Sequence, residues 1–314
     1  MPVYEHLSTF AGKDVTDSSF EHEGESVPLA YEPGTMGELA WRVGTSYEGT
    51  PFADVFGAFL EQNDTAEVTH LVIGYWGASY DDNPDVDPVR LVVDAAARLP
   101  NLRALFLGDI TMEESEISWI EGFDITPLFE TFPGLEHIGV RGSGPVLNPF
   151  EAPALRTLRF ESGGLSNGAV RAVGDSDLPV LESLELWLGV ADYGGRTTVE
   201  DLAGILSGER LPSLHHLGLE DSEIQDDIAA AIASAPIVAR LESLSLAMGA
   251  LTDQGAEALL SGQPLTHLKR LDLHHHFLTD PMMERFRTAL PGVEVELGDQ
   301  RRPEDDRVYV AVAE

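Results

Sequence analysis

The chain has 314 residues, is 43% hydrophobic and 23% charged, and carries 54 acidic against 19 basic side chains, a formal charge of −35. That composition is globular and not disordered, and its negative field argues against nucleic acid as a ligand, because a phosphate backbone would be repelled. There is no apolar run of the roughly 18–20 residues that span a bilayer, and no cysteine for a disulfide framework.

Residues 1–8 carry Glu5 and lack both a basic start and an apolar core, so no secretory signal is expected and the cytoplasm is the expected location. Further along, Val27/Leu29/Tyr31 and Leu39/Trp41/Val43 alternate as half-buried strands do. Phe52, Val55, Phe56, Phe59 and Leu60 then form a helical stripe. Residues 1–66 are read as a β-rich cap over the open end of a repeat array that begins at residue 67.

From residue 67 one phrase, Leu-x-x-Leu-x-Leu, returns again and again. Its central positions are Leu71, Leu105, Ile138, Leu158, Leu184, Leu217, Leu244 and Leu271, separated by 34, 33, 20, 26, 33, 27 and 27 residues. A frayed last copy lies in Val293–Leu297. Self-similarity at a period of roughly 20–50 residues marks a solenoid, and this phrase is the strand of a leucine-rich repeat. Between strands, Leu202/Ile205/Leu206, Ala256/Leu259/Leu260 and Met283/Phe286/Leu290 fall on single helical faces. The third repeat is too short for a helix and holds Pro145, Pro149 and Pro153, which predicts an extended connection. Pro100, Pro133, Pro153, Pro179 and Pro212 each precede a central position by five residues, an independent mark of the same register. Beyond the polar stretch 298–306, Val308/Val310/Val312 predicts a closing strand against Val293–Leu297. The expected fold is an α/β leucine-rich-repeat horseshoe with a parallel concave sheet and a mostly helical convex side. It has a cap at 1–66, repeats at 67–297 and a closing strand within 298–314.

The segment Leu251–Thr252–Asp253–Gln254–Gly255–Ala256–Glu257–Ala258–Leu259 closely resembles the strand-to-helix segment of ribonuclease-inhibitor-like leucine-rich repeats, and Leu278–Thr279–Asp280 repeats its opening. The resemblance covers residues 67–297, and the whole chain also looks like uncharacterised bacterial members of that superfamily. Thr252 or Asp253 is expected to cap the following helix. The departure is the ninth position of each repeat, usually Asn or Cys in the family and here Ile110, Ser143, Gly163, Gly189, Ser222, Gly249 and His276. Without that Asn, the turn must satisfy its backbone otherwise. The resemblance implies that a partner is gripped by the concave sheet and the ascending rim.

Alternation sends the third, fifth and seventh side chains of each repeat to the concave face. The candidate partner-binding residues there are Phe106, Arg141, Arg159, Glu161, Glu185, Trp187, His216, Asp272 and His274. Aromatic and arginine side chains are enriched at binding hot spots, and the strongest expectation centres on Phe106 and Trp187 near Arg141 and Arg159. The long ascending segments 77–87, 108–128 and 189–199 crowd one rim, where Ile117, Trp119, Ile120 and Phe123 offer an alternative site or dock back onto the core.

Other chemistries find little support. In His274–His275–His276 only the outer two share a side, and His216 lies two strands from His274, too far for easy zinc ligation. Asp81–Asp87 has acidic spacing but lacks the Gly and Glu of a calcium loop. Glu161 and Glu185 sit on neighbouring strands, but an open sheet gives no water-excluding pocket to separate their pKa values. No cysteine nucleophile, Gly-x-Ser-x-Gly elbow or phosphate loop is present. The expectation is a non-catalytic protein-binding module without metal or cofactor, with a scaffolding subunit of an enzyme complex as the competing reading and an enzyme or small-ligand protein third.

Overall fold

The computed structural model describes residues 2–22, 25–29, 31, 34–47, 49–77, 86–305 and 307–314. The acidic run Asp81–Asp85, considered from its sequence as a cation loop, lies outside the described residues. Strands β1 (Thr9–Phe10) and β2 (Lys13–Asp17) form an antiparallel hairpin, and β3 (Ser19–His22) pairs with β4 (Glu25–Pro28) in a separate two-stranded ribbon. Next in the chain are β5 (Ala40–Val43), α1 (Phe52–Gln62), β6 (His70–Ile73), α2 (Pro88–Asp94), β7 (Ala104–Leu107), α3 (Thr126–Thr131), β8 (His137–Arg141) and β9 (Thr157–Glu161). The remainder is α4 (Asn167–Asp175), β10 (Ser183–Gly189), α5 (Ala203–Ser207), β11 (His216–Ser222), α6 (Gln225–Ile232), β12 (Ser243–Ser245), α7 (Asp253–Ser261), β13 (Arg270–Asp272), α8 (Asp280–Ala289) and β14 (Glu294–Glu296).

One twelve-stranded sheet runs β1-β2-β5 and then β6 to β14 in chain order, parallel throughout except for the β1–β2 hairpin. Each strand–connection–strand unit returns to the same sheet one place further on, which is a leucine-rich-repeat solenoid. The central positions pair directly: Leu71 with Leu105, then Ile138, Leu158, Leu184, Leu217, Leu244, Leu271 and Val295. Because strand side chains alternate, this register stacks every central residue in one apolar column between sheet and helices. No helix separates β8 from β9, as the prolines of the short third repeat predict.

Two boundaries differ from the sequence reading. Trp41 pairs in register with Leu71, is fully buried, and is followed by α1, so β5–α1 is a complete repeat inside the segment assigned to the cap. A tryptophan at the central position hid it from a leucine pattern. The closing strand at 308–312 is absent: β14 ends the sheet, and residues 308–314 leave its edge to cross the concave face. Their backbone finds partners on the inner turns of earlier repeats, so alternation here reports a groove and not a ladder.

The missing Asn ladder is replaced twice over. At the ninth position His276 is buried; its Nδ1 accepts the Leu278 N–H at 3.1 Å and its Nε2 lies 3.2 Å from the Leu297 carbonyl. Nearer the middle of the array, the Gln225 amide donates to the Leu219 carbonyl at 2.9 Å. On the helix side a Thr–Asp relay links successive repeats. Asp226 accepts the Thr252 N–H at 2.8 Å and its hydroxyl at 2.5 Å, and Asp253 accepts the Thr279 N–H at 2.8 Å and its hydroxyl at 2.7 Å. Thr252 caps α7 by accepting the Gln254 N–H, and Thr279 caps α8 by accepting that of Met282.

Candidate functional site

The concave face carries three rows of side chains, and two terminal segments divide it. At one end the β1–β2 hairpin curls inward over β5, β6 and β7. Leu7, Phe10 and Val15 cover Ala40, Val72 and Phe106, with the Phe10 ring edge-on to Phe106 at 5.7 Å between centroids. Asp109, fully buried, ties this segment down: it accepts the Leu7 N–H at 3.0 Å and pairs with Arg42 at 3.1 Å. Burial opposes its charge, but the bonds from His6, Leu7 and Arg42 hold its carboxyl below the usual range.

At the other end, segment 308–314 runs over β13, β12, β11 and β10. It is seated on residues that stand two places past the last repeat leucine. Asp221, Met248 and His275 occupy that position in consecutive repeats, and all three are left-handed, with φ of 53°, 66° and 55°. The Asp221 carboxylate accepts the Val312 N–H at 2.9 Å, the Met248 carbonyl accepts the Ala311 N–H at 2.8 Å, and His275 Nε2 lies 3.2 Å from the Tyr309 carbonyl. Val312 joins Val3, Ile117, Ala247 and Met248 in one apolar cluster over Trp187.

The two aromatics expected as exposed anchors are therefore covered. Phe106 is 2% exposed and Trp187 1% exposed, and Arg141 and Glu161 are buried beside them. The physical reason is that the chain's own apolar ends pack on them, which alternation within a strand cannot reveal. The rim residues also dock inward: Ile117 belongs to the Trp187 cluster, and Ile120 and Phe123 pack on the main core.

The charged candidates form a chain across four strands. Arg141 Nε donates to Glu161 Oε2 at 2.7 Å, Arg159 reaches Glu161 at 2.7 Å and Glu185 at 3.0 Å, and His216 lies 3.4 Å from Glu185. Arg141 also donates to the Ile110 carbonyl, and the Arg159 guanidinium lies 5.6 Å from the centre of the Trp187 ring. Against burial, bonds from His216 and Arg159 keep Glu185 low. Glu220 accepts from the Trp187 indole at 2.9 Å, and burial raises it.

Beyond the hairpin, and beside segment 308–314, a strip of side chains on β9 to β14 remains partly exposed. Arg159, Glu185, His216, Asp272 and His274 lie there, joined by Arg270, Glu294 and Glu296, which the sequence reading did not select as site residues. Their signal was available: they hold the same third and fifth positions in the last two strands. Burial works against the Asp272 charge, but bonds from His274 and Arg270 hold its carboxyl down at about 2, and the bond to Asp272 raises His274.

The three consecutive histidines do not converge. His274 faces Asp272, His275 stacks edge-on with Phe277 and Tyr309, and His276 serves the inner turn. Among the described residues no helix is long and apolar enough to cross a membrane.

No protein-family model and no curated protein matches this sequence. Among solved structures the chain is similar to a crystal structure of a protein from Bacteroides fragilis, at 28% identity and a TM-score of 0.77, over 91% of this chain and 81% of the other. It also aligns with the crystal structure of a TLR13–ssRNA13 complex at 16% identity and a TM-score of 0.42, over 86% of this chain and 33% of the other, a fit that carries no argument about this chain.

Proposed function

We propose that the chain is a non-catalytic, cytoplasmic interaction module that binds a basic protein through the open half of the concave sheet. The observation that carries this reading is the strip of partly exposed ionisable side chains on β9 to β14, left uncovered by the hairpin and by segment 308–314. Arg159 bridges Glu161 and Glu185, and Arg270 bridges Asp272 and Glu294, so the carboxylates of the strip still outnumber its guanidiniums on a molecule with a net charge of −35. Such a surface steers a cationic partner and repels polyanions, nucleic acid included. The same strip supports a binding role over a catalytic one, because among the described residues it is an open surface of paired charges. The Thr–Asp relay and the Leu251–Leu259 segment favour the ribonuclease-inhibitor-like subtype of repeat.

The test is capture on the immobilised full chain from native lysate across a salt gradient. The expected result is a basic protein held at low ionic strength and released as salt rises past about 0.15 M, where the Debye length is about 8 Å. Retention of nucleic acid, or of acidic proteins alone, contradicts the reading.

A further inference from the structure

Segment 308–314 lies in the concave face as a bound peptide lies in a groove. Its main chain is gripped at three points by successive repeats, the Asp221 carboxylate, the Met248 carbonyl and the His275 ring. Val310 and Val312, at alternate positions, are buried, and the Tyr309 ring stands edge-on to Phe277 at 5.1 Å. This division of labour, main-chain bonds for hold and pockets for alternate side chains, is how extended peptides are recognised.

We propose that this seat is a recognition groove for an extended peptide with the pattern of Tyr309–Val312, and that segment 308–314 occupies it in cis until such a peptide replaces it.

Three further observations bear on replacement. The segment forms no ladder with any strand, and the described residues leading into it, Arg302–Asp305, Arg307 and Val308, are exposed. Its removal therefore breaks no sheet. Second, the groove is shaped for close approach. A Cβ at Gly163 would collide with the Ala313 carbonyl oxygen, and its other near neighbours are Ala313 C and Ile117 Cγ2, so the space at Gly163 belongs to the segment. Third, the Asp221 carboxyl is buried, its Oδ2 has no hydrogen-bond partner, and burial pushes its pKa well up. Water admitted on release would solvate that oxygen, which offsets part of what the seated segment gains. The emptied groove would present Trp187, Ile117 and Met248, an apolar floor that needs a replacement occupant. This groove is separate from the polar strip on β9 to β14, which stays open whether or not the segment is seated, so either reading can fail alone.

The test uses the full chain and a fluorescein-labelled synthetic peptide of residues 307–314, read by anisotropy. In the wild type the cis segment competes at high effective concentration. Val312→Asp in the chain disfavours that competitor and leaves the groove intact. The expected result is at least about tenfold tighter peptide binding by Val312→Asp than by wild type, and loss of that binding when the peptide carries the same substitution. A folded Val312→Asp chain that binds the peptide no better overturns the proposal. Should the variant fail to fold, hydrogen exchange on the wild type decides. Ala311 and Val312 amides that exchange about a hundredfold faster than those of Leu217 and Leu244 support a segment that leaves alone, and exchange of all four only by global unfolding overturns it.

Discussion

Trp187 illustrates how one residue changes meaning with its surroundings. By position it is a concave side chain, and aromatics there are natural binding anchors. Under Val312, Ile117 and Met248 it is a core residue whose indole is bonded to Glu220. Trp187→Ala is accordingly expected to cost about 3–5 kcal/mol, the range for large aromatics cut from a core, as read by denaturant unfolding. A loss below about 1 kcal/mol would return Trp187 to the surface. In the main column, Leu217→Ala and Leu244→Ala are each expected to cost about 2–5 kcal/mol, because each leucine packs between two neighbouring repeats.

His70 provides the pH test at this scale. It is buried next to Phe10, with Nδ1 2.9 Å from the Thr69 hydroxyl and Nε2 3.3 Å from the Ala11 carbonyl. Burial, aided by nearby Lys13, lowers its pKa from 6.5 to about 4. The folded pKa is below the unfolded one, so the stability tied to His70 is present above pH 6.5 and lost as pH falls through about 4. NMR titration of the ring should show a midpoint near 4. His70→Gln should flatten the fall in stability across that window, and an unchanged profile would mean that the hairpin does not shield His70.

At the scale of elements, the repeat strands and most helices could be read directly, because a 27-residue gap leaves room for one strand, one turn and one helix. What escaped was whatever departs from leucine or lies outside the ladder. The β5–α1 repeat was concealed by Trp41, and segment 308–312 looked like an ordinary strand because an alternating stretch suits a groove as well as a sheet. A usable signal existed: Phe10, Val310 and Val312 were apolar residues without a repeat to join, and Phe106 and Trp187 were concave aromatics without a cover. The inner turns were equally opaque. Asn is one solution to a turn that needs both a donor and an acceptor, and His276 meets the same need with its two ring nitrogens. The Thr–Asp relay is testable as an element property. Asp226→Ala removes three bonds, from the Thr252 N–H, the Thr252 hydroxyl and the Gly255 N–H. The expected cost is about 1–3 kcal/mol, seen as faster hydrogen exchange at the start of α7 than in α4. Equal exchange in the two helices would show that the relay carries no weight.

For the whole molecule, a stacked array exposes one long inner surface, and here the hairpin and segment 308–314 cover part of it. The hairpin at one end and segment 308–314 at the other leave an acidic strip whose residues alternation places on the concave face, but which rows stay open is set by contacts between residues more than a hundred positions apart, such as Leu7 with Asp109. Binding of a basic protein at that strip is the central claim, and the affinity of the captured partner for two forms of the full chain tests it most directly. Glu294→Lys/Glu296→Lys changes two accessible charges at the strip's outer strand without entering the core column. The expected result is a dissociation constant raised by about tenfold or more, as for reversal of charges that face a complementary partner, with the chain still folded and its melting transition lowered only by the loss of the exposed Arg270–Glu294 pair and the Gly298 N–H bond to Glu296. An affinity equal to that of the wild type would place recognition elsewhere and contradict the account.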